Sequence, residues 1–302
     1  MADGTHIEWT AAADGTPGAT FNPWTGCTKV SAACDHCYAE SWAKRSGLVQ
    51  WGNYPRRRTS EDYWRQPLKW NRQAERTGVR RKVFCASLAD VFDNQAPAQW
   101  RSDLWALIEL TPRLDWLLLT KRPQNIAKML PSTWGTGWPN VWLGTTGENP
   151  EECRRIDHLR RVPAVVRFLS CEPLLAEIRP DLTGISWVIC GGESGPNARP
   201  MHPDWARSLR DQCQAAGVPF FFKQWGEWAP GECGNGSPTK TQQTATWWDD
   251  EWMFGSVTPR MSLEMHRDDE PDLYRLGKKA AGALLDGRLW RQFPARGETD
   301  AR

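Results

Sequence analysis

Six short apolar runs punctuate the chain, at 82–86, 115–120, 141–145, 164–169, 186–190 and 219–223. Each is rich in β-branched or aromatic residues and bounded by Gly, Pro or polar positions, the pattern of strands buried on both faces. Between them the period changes. Residues 98–110 place Trp100, Leu104, Leu107 and Ile108 on one helical stripe, and 204–216 do the same with Trp205, Leu209 and Cys213 before Gly217. Residues 149–161 look similar. Strands alternating with helices predict a parallel sheet. With a further strand at 20–24, about seven strands are expected, as a parallel β/α barrel that is TIM-like and either complete or partial. An open doubly wound sheet has the same periodicity. The barrel is assigned to 1–228. The remainder, 229–302, reads as an irregular Gly-, Pro-, Thr- and Gln-rich excursion over 230–246, then a helix over 274–285 packed on the barrel and stopped at Asp286-Gly287.

Composition narrows the function classes only a little. The chain has 302 residues, 40% hydrophobic and 25% charged, with a net charge of +2. That charge is too small to imply nucleic acid by itself. Basic runs at 56–58, 80–82, 154–155 and 160–161 are offset by acidic ones at 249–251 and 268–270, and most such runs are solvated surface. Twenty tryptophans should mostly pack in the core or its rim, leaving a few to stack on a base. No stretch reaches the length needed to span a bilayer, and 1–10, with His6 an ordinary surface residue, has no apolar export core, so a cytoplasmic protein without membrane partners is expected.

The sharpest local signal is 22–38, which holds Cys27, Cys34 and Cys37 within eleven residues, beside Gly26 and His36. Six other cysteines are scattered, and Cys85 and Cys190 lie inside apolar runs as small hydrophobes. Three thiolates on one loop are soft donors suited to an iron–sulfur cluster or to zinc. With no fourth local cysteine, a [4Fe–4S] cluster would keep one iron open to a substrate or cofactor. Zinc held with His36 or a distant ligand, and three unrelated thiols, are the competing readings.

These residues also carry a family likeness. Ile7 to Thr10, Asn22 to Cys27, Cys34 to Glu40, Leu119 to Pro123, Trp142 to Gly144, Arg167 to Leu175, Gly191 to Pro196, Phe222 to Gly226, Gly277 to Gly282 and Leu285 to Gly287 resemble a phage- and prophage-associated three-cysteine-motif family. That family is a divergent relative of radical S-adenosylmethionine (SAM) enzymes. The resemblance implies a partial barrel, a [4Fe–4S] cluster on Cys27, Cys34 and Cys37, SAM on the open iron, and an electron donor. It places His36 where those enzymes carry an aromatic residue before the last cysteine. It implies that Glu193, in Gly191-Gly192-Glu193, meets the amino group of SAM. Six residues separate the first two cysteines, against three in the usual radical SAM pattern.

Functional groups of a β/α barrel sit at the C-terminal ends of its strands. Those ends read Ser87 and Asp90; Thr120, Lys121 and Arg122; Thr145, Thr146 and Glu148; Ser170 and Glu172; Glu193 and Ser194; Lys223 and Gln224. Of these, Glu193, Ser194, Thr145 and Glu172 are expected, with His36, around the cofactor. Lys121 and Arg122, helped by Arg56 to Arg58 and with Trp51 as a stacking face, are expected to meet substrate phosphate. Two functions follow. One is a radical SAM enzyme modifying or repairing a nucleobase in nucleic acid or a nucleotide. The other is a non-catalytic nucleic-acid-binding module stabilised by zinc or a closed cluster.

Overall fold

The computed structural model describes residues 4–295 apart from 6, 13–14, 235–237 and 266–269. His6 and part of the 268–270 acidic run therefore lie outside the described residues. Seven strands, β1 (Ala19–Phe21), β2 (Arg81–Cys85), β3 (Leu114–Thr120), β4 (Val141–Thr146), β5 (Val166–Cys171), β6 (Trp187–Gly191) and β7 (Phe220–Gln224), form one parallel sheet in chain order. Among the described residues no ladder joins β1 to β7, so the sheet is a curled partial barrel rather than a closed one. No described helix is long and apolar enough to cross a membrane.

The pleat sorts the apolar runs into two layers. Val83, Cys85, Trp116, Leu118, Val141, Leu143, Leu169, Val188, Cys190, Phe220 and Phe222 face the helices. Phe84, Leu117, Trp142, Phe168, Trp187, Ile189 and Phe221, at the alternate positions, fill the concave side together with Trp9. Gly144 is glycine because a β-carbon there would meet the Phe168 ring at 2.3 Å. The outer layer is built from α1 (Tyr38–Ser46), α2 (Gln66–Thr77), α3 (Ala98–Glu109), α4 (Arg154–Arg160) and α5 (Pro203–Ala215). On α3, Leu104, Leu107 and Ile108 are buried as the stripe requires, and on α5 so are Trp205, Leu209 and Cys213.

The region after 228 differs from the expected pattern. The end of the presumed excursion opens a strand, β8 (Gln242–Trp248), paired antiparallel with β9 (Glu251–Val257) and flanked by β10 (Leu273–Tyr274). Trp247 and Trp252 face each other across the hairpin, ring centroids 5.1 Å apart, and both dock on Trp205 of α5. The expected helix over 274–285 shrinks to a single turn, Lys278–Ala281. Gly277 and Gly282, at φ +85° and +66°, bracket that turn in conformations that end helices. The following 290–292 segment lies along the open edge of β7: Phe222 N donates to Trp290 O at 2.8 Å and Gln292 N to Phe220 O at 3.1 Å. An edge that would otherwise invite foreign strands is thereby covered.

Trp187 anchors the concave layer. Its ring meets those of Trp9, Trp142, Phe168, Phe221 and Phe293, and its Nε1 donates to Gln292 O at 2.8 Å. Trp187→Ala should cost about 3–5 kcal/mol, the usual range for emptying a buried aromatic site. Urea denaturation of both proteins measures it, and a loss under about 1 kcal/mol would mean the layer refills the gap.

Candidate functional site

At the C-terminal ends of the strands the concave side changes from apolar to polar. The same pleat that turns Leu117 and Leu119 inward turns Lys121 inward, and it does likewise for Thr146, Ser170, Glu172 and Lys223. They line a cavity of about 450 Å³ whose floor is Ile7, Trp9, Phe84 and Leu119. Cys27, Cys34, Cys37 and His36 line the same cavity, opposite the strand ends.

The cysteine loop leaves β1 and returns at α1. Both its ends are tied to the turn after β2. Asn22 Oδ1 accepts from Leu88 N at 2.8 Å, and the Tyr38 hydroxyl donates to Ser87 O at 2.6 Å. Gly26, at φ +105°, makes the turn that a side chain would strain. Four arginines hold the rest. Arg122 donates to Thr28 O at 2.8 Å and approaches Cys27 Sγ at 3.5 Å while pairing with Asp90 at 3.0 Å. Arg56, its side chain fully buried, pairs with Asp93 at 2.6 Å and donates to the Thr28 hydroxyl at 2.8 Å. Arg155 pairs with Glu148 at 2.8 Å, and Glu148 accepts from the Ser31 hydroxyl. Arg199 pairs with Glu193 at 2.6 Å and donates to Ala32 O at 2.9 Å.

Several expected roles change in this light. Arg122 lines the cavity as expected, but its guanidinium is already engaged by Asp90 and the Thr28 carbonyl. Arg56 is committed in the same way. Arg58 pairs with Asp103 at 2.6 Å and lies over the Trp64 ring, and Arg57 is exposed. Glu193 is already engaged: Oε2 receives His36 Nδ1 at 3.0 Å and Arg199 N and Nε at 2.8 and 2.9 Å, and Oε1 receives Arg199 Nη2. Oε1 accepts from Arg199 alone among these, and Glu193 lines the cavity. Gly192 is glycine because the backbone passes close by: a β-carbon there would lie 1.8 Å from Trp225 O. Thr145 faces away from the cavity and donates to Thr120 O at 2.9 Å, and its neighbour Thr146 takes the inward place. Glu172 is at the cavity but ion-paired with Lys223, and the Ser194 hydroxyl accepts from Gln224 at 2.9 Å. Lys121 lines the cavity.

Arg155 and Arg199 were not legible as site residues. Arg155 belongs to a basic run that reads as surface yet is buried, and Arg199 sits in a loop without pattern. Trp51 and Lys278, from segments far apart in sequence, also line the cavity.

The donor set fits an iron–sulfur cluster. All three loop cysteines are free thiols at one cavity, and none of the other six lines it. Among the described residues, no three Cys, His, Asp or Glu side chains are grouped as they would be around a single metal ion. Each thiolate of an iron–sulfur cluster binds a different iron. Burial and Asp90 push the Cys27 thiol up to about 11 while Arg122 draws it down. Burial would raise the Glu193 and Glu148 carboxyls. Bonds from Arg199 and His36 hold Glu193 below the ordinary value, and bonds from Ser31 and Arg155 do so for Glu148.

The model of a family described as "Protein of unknown function (DUF5131)" matches residues 4–294. No curated protein matches the chain. Among solved structures it is similar to a spore photoproduct lyase mutant with bound AdoMet and dinucleoside spore photoproduct. The identity is 11% and the TM-score 0.42, over 82% of this chain and 70% of that one.

The depressed carboxyls give the loop an acid limit. Their stabilisation is fully present above the unfolded glutamate value of 4.5 and is lost as pH falls through the lower folded values. Urea midpoints should therefore fall steeply below pH 4.5, and Glu193→Gln should flatten part of that slope. Identical slopes in the two proteins would remove Glu193 from the clamp.

Proposed function

This chain belongs to that family of proteins of unknown function, and from its geometry we propose that it is an iron–sulfur enzyme of the radical SAM type. One observation carries the reading: three free thiols of a single loop line the cavity at the C-terminal ends of seven parallel strands, and the other six cysteines do not. Cys27, Cys34 and Cys37 would hold a [4Fe–4S] cluster with one iron left open. When bound there, the cluster and SAM, with an external one-electron donor, would supply one-electron reductive chemistry on a carbon–sulfur bond.

The chain contributes position and exclusion. Thr146 and Ser170 offer hydroxyls from adjacent strands, and the Glu172–Lys223 pair offers both signs of charge for the polar groups of SAM. The apolar floor of Ile7, Trp9, Phe84 and Leu119 keeps water from a reactive centre. For a nucleotide or nucleic-acid substrate, Lys29, Lys121 and Lys278 are cations at the cavity beside Arg122, which is already paired with Asp90, and Trp51 supplies a stacking face. A base inside a duplex cannot enter such a cavity, so extruded or single-stranded substrate is expected.

Anaerobic purification and reconstitution test the proposal. Iron and sulfide should bind in equal amounts, and 5′-deoxyadenosine should form from SAM under reducing conditions. Alanine at Cys27, Cys34 or Cys37 should abolish cluster assembly, while Cys213→Ala, in the helix-side core, should not. Stoichiometric zinc without sulfide would instead support a metal-stabilised binding module.

A further inference from the structure

Arg122 places a charged group directly against one of the three thiols. Its Nη1 lies 3.5 Å from Cys27 Sγ and 3.0 Å from Asp90 Oδ2, and its Nη2 donates to Thr28 O at 2.8 Å. The carboxylate behind it is equally fixed. Asp90 accepts from the Thr120 hydroxyl at 2.8 and 2.9 Å, from Phe92 N at 2.9 Å and from Lys121 N at 3.3 Å. Both side chains are almost wholly buried, at 9% and 6% exposure, so neither charge is screened by solvent as a rim charge would be. The guanidinium remains a cation at any working pH. A second buried pair, Arg56–Asp93, holds the same Thr28 and keeps the arrangement rigid.

We propose that the Arg122–Asp90 pair sets the reduction potential of the cluster through its Cys27 ligand, with Arg122 as a positioning residue that stabilises the reduced form and Asp90 as its opponent. The inference rests on the iron–sulfur reading above and deepens it. Adding an electron makes a thiolate-bound cluster more negative. An N–H aimed at a ligand sulfur and a buried positive charge both favour that state, while a buried carboxylate disfavours it. The two residues therefore act with opposite signs on one equilibrium, that of one-electron reduction by an external donor. A purely structural clamp would lower cluster occupancy without this sign pattern.

The test uses the full chain, reconstituted anaerobically as wild type, Arg122→Gln, Arg122→Lys and Asp90→Asn. Each is analysed for iron and sulfide and titrated for its potential by electron paramagnetic resonance. Arg122→Gln should lower the reduction equilibrium constant about tenfold, or about 59 mV for a one-electron couple. Arg122→Lys, which keeps the charge, should shift it less, and Asp90→Asn should move it the other way. A fully loaded Arg122→Gln protein at wild-type potential overturns the inference and leaves the cluster reading intact. Should Arg122→Gln fail to load, Asp90→Asn decides: an upward shift supports the inference, and no shift or a downward one overturns it. A wild-type chain that takes up no cluster overturns both.

Discussion

The contact on which the site depends is the buried guanidinium–carboxylate pair set between a strand end and the cysteine loop. It occurs three times, as Arg122–Asp90, Arg56–Asp93 and Arg155–Glu148, and Arg199–Glu193 is a half-buried fourth. A loop that crosses the mouth of a barrel has carbonyls and hydroxyls with no sheet to bond to, and burying them unpaired is costly. Here arginine forks satisfy Thr28 and Ala32, and Glu148 satisfies Ser31. Each fork is neutralised by its own carboxylate, so no lone charge is left in the interior. Such pairs add little stability over an apolar core, but breaking one strands its partner. What they supply is position, and three thiolates could share the proposed inorganic core only if their positions were held.

The barrel makes this possible by separating labour along each strand. The middle of the strands is apolar on both faces, with Trp187 and its neighbours filling the concave side and the helices covering the other. On the C-terminal side of that plug the inward positions are polar, as Leu119 gives way to Lys121 and Phe168 to Ser170. The covered β7 edge and the Trp9 plug, contributed by opposite ends of the chain, hold the sheet in its curled form without closing it. Stability and chemistry therefore occupy different levels of the same strands.

Much of this could be seen in the sequence, for physical reasons that also mark where it could not. Strands buried on both faces announce themselves as continuous apolar runs, so six of the seven were visible, and the short β1 was placed within a few residues. Parity was the first failure. Thr145 and Thr146 are adjacent and chemically equal, and only the pleat tells which one faces inward. Partnering was the second. An arginine or glutamate at a strand end reads as available, as Arg122 and Glu193 did, because nothing in the chain shows that the partner comes from 32 residues earlier, as Asp90 does, or from a patternless loop, as Arg199 does. The C-terminal region failed on turn chemistry: the apolar spacing around 274–285 allowed a helix, but Gly277 and Gly282 adopt conformations that break it. His36 was read as cofactor-facing, and it does line the cavity, yet its Nδ1 is engaged by Glu193.

If the clamped loop presents three thiolates to a four-iron cluster, one iron is left to a ligand. Mössbauer spectroscopy of the ⁵⁷Fe-reconstituted protein, with and without SAM, tests this. One iron of the four in a [4Fe–4S] spectrum should change its quadrupole splitting when SAM is added. A spectrum that SAM leaves unchanged, or a protein that retains no inorganic sulfide, would rule the proposed site out.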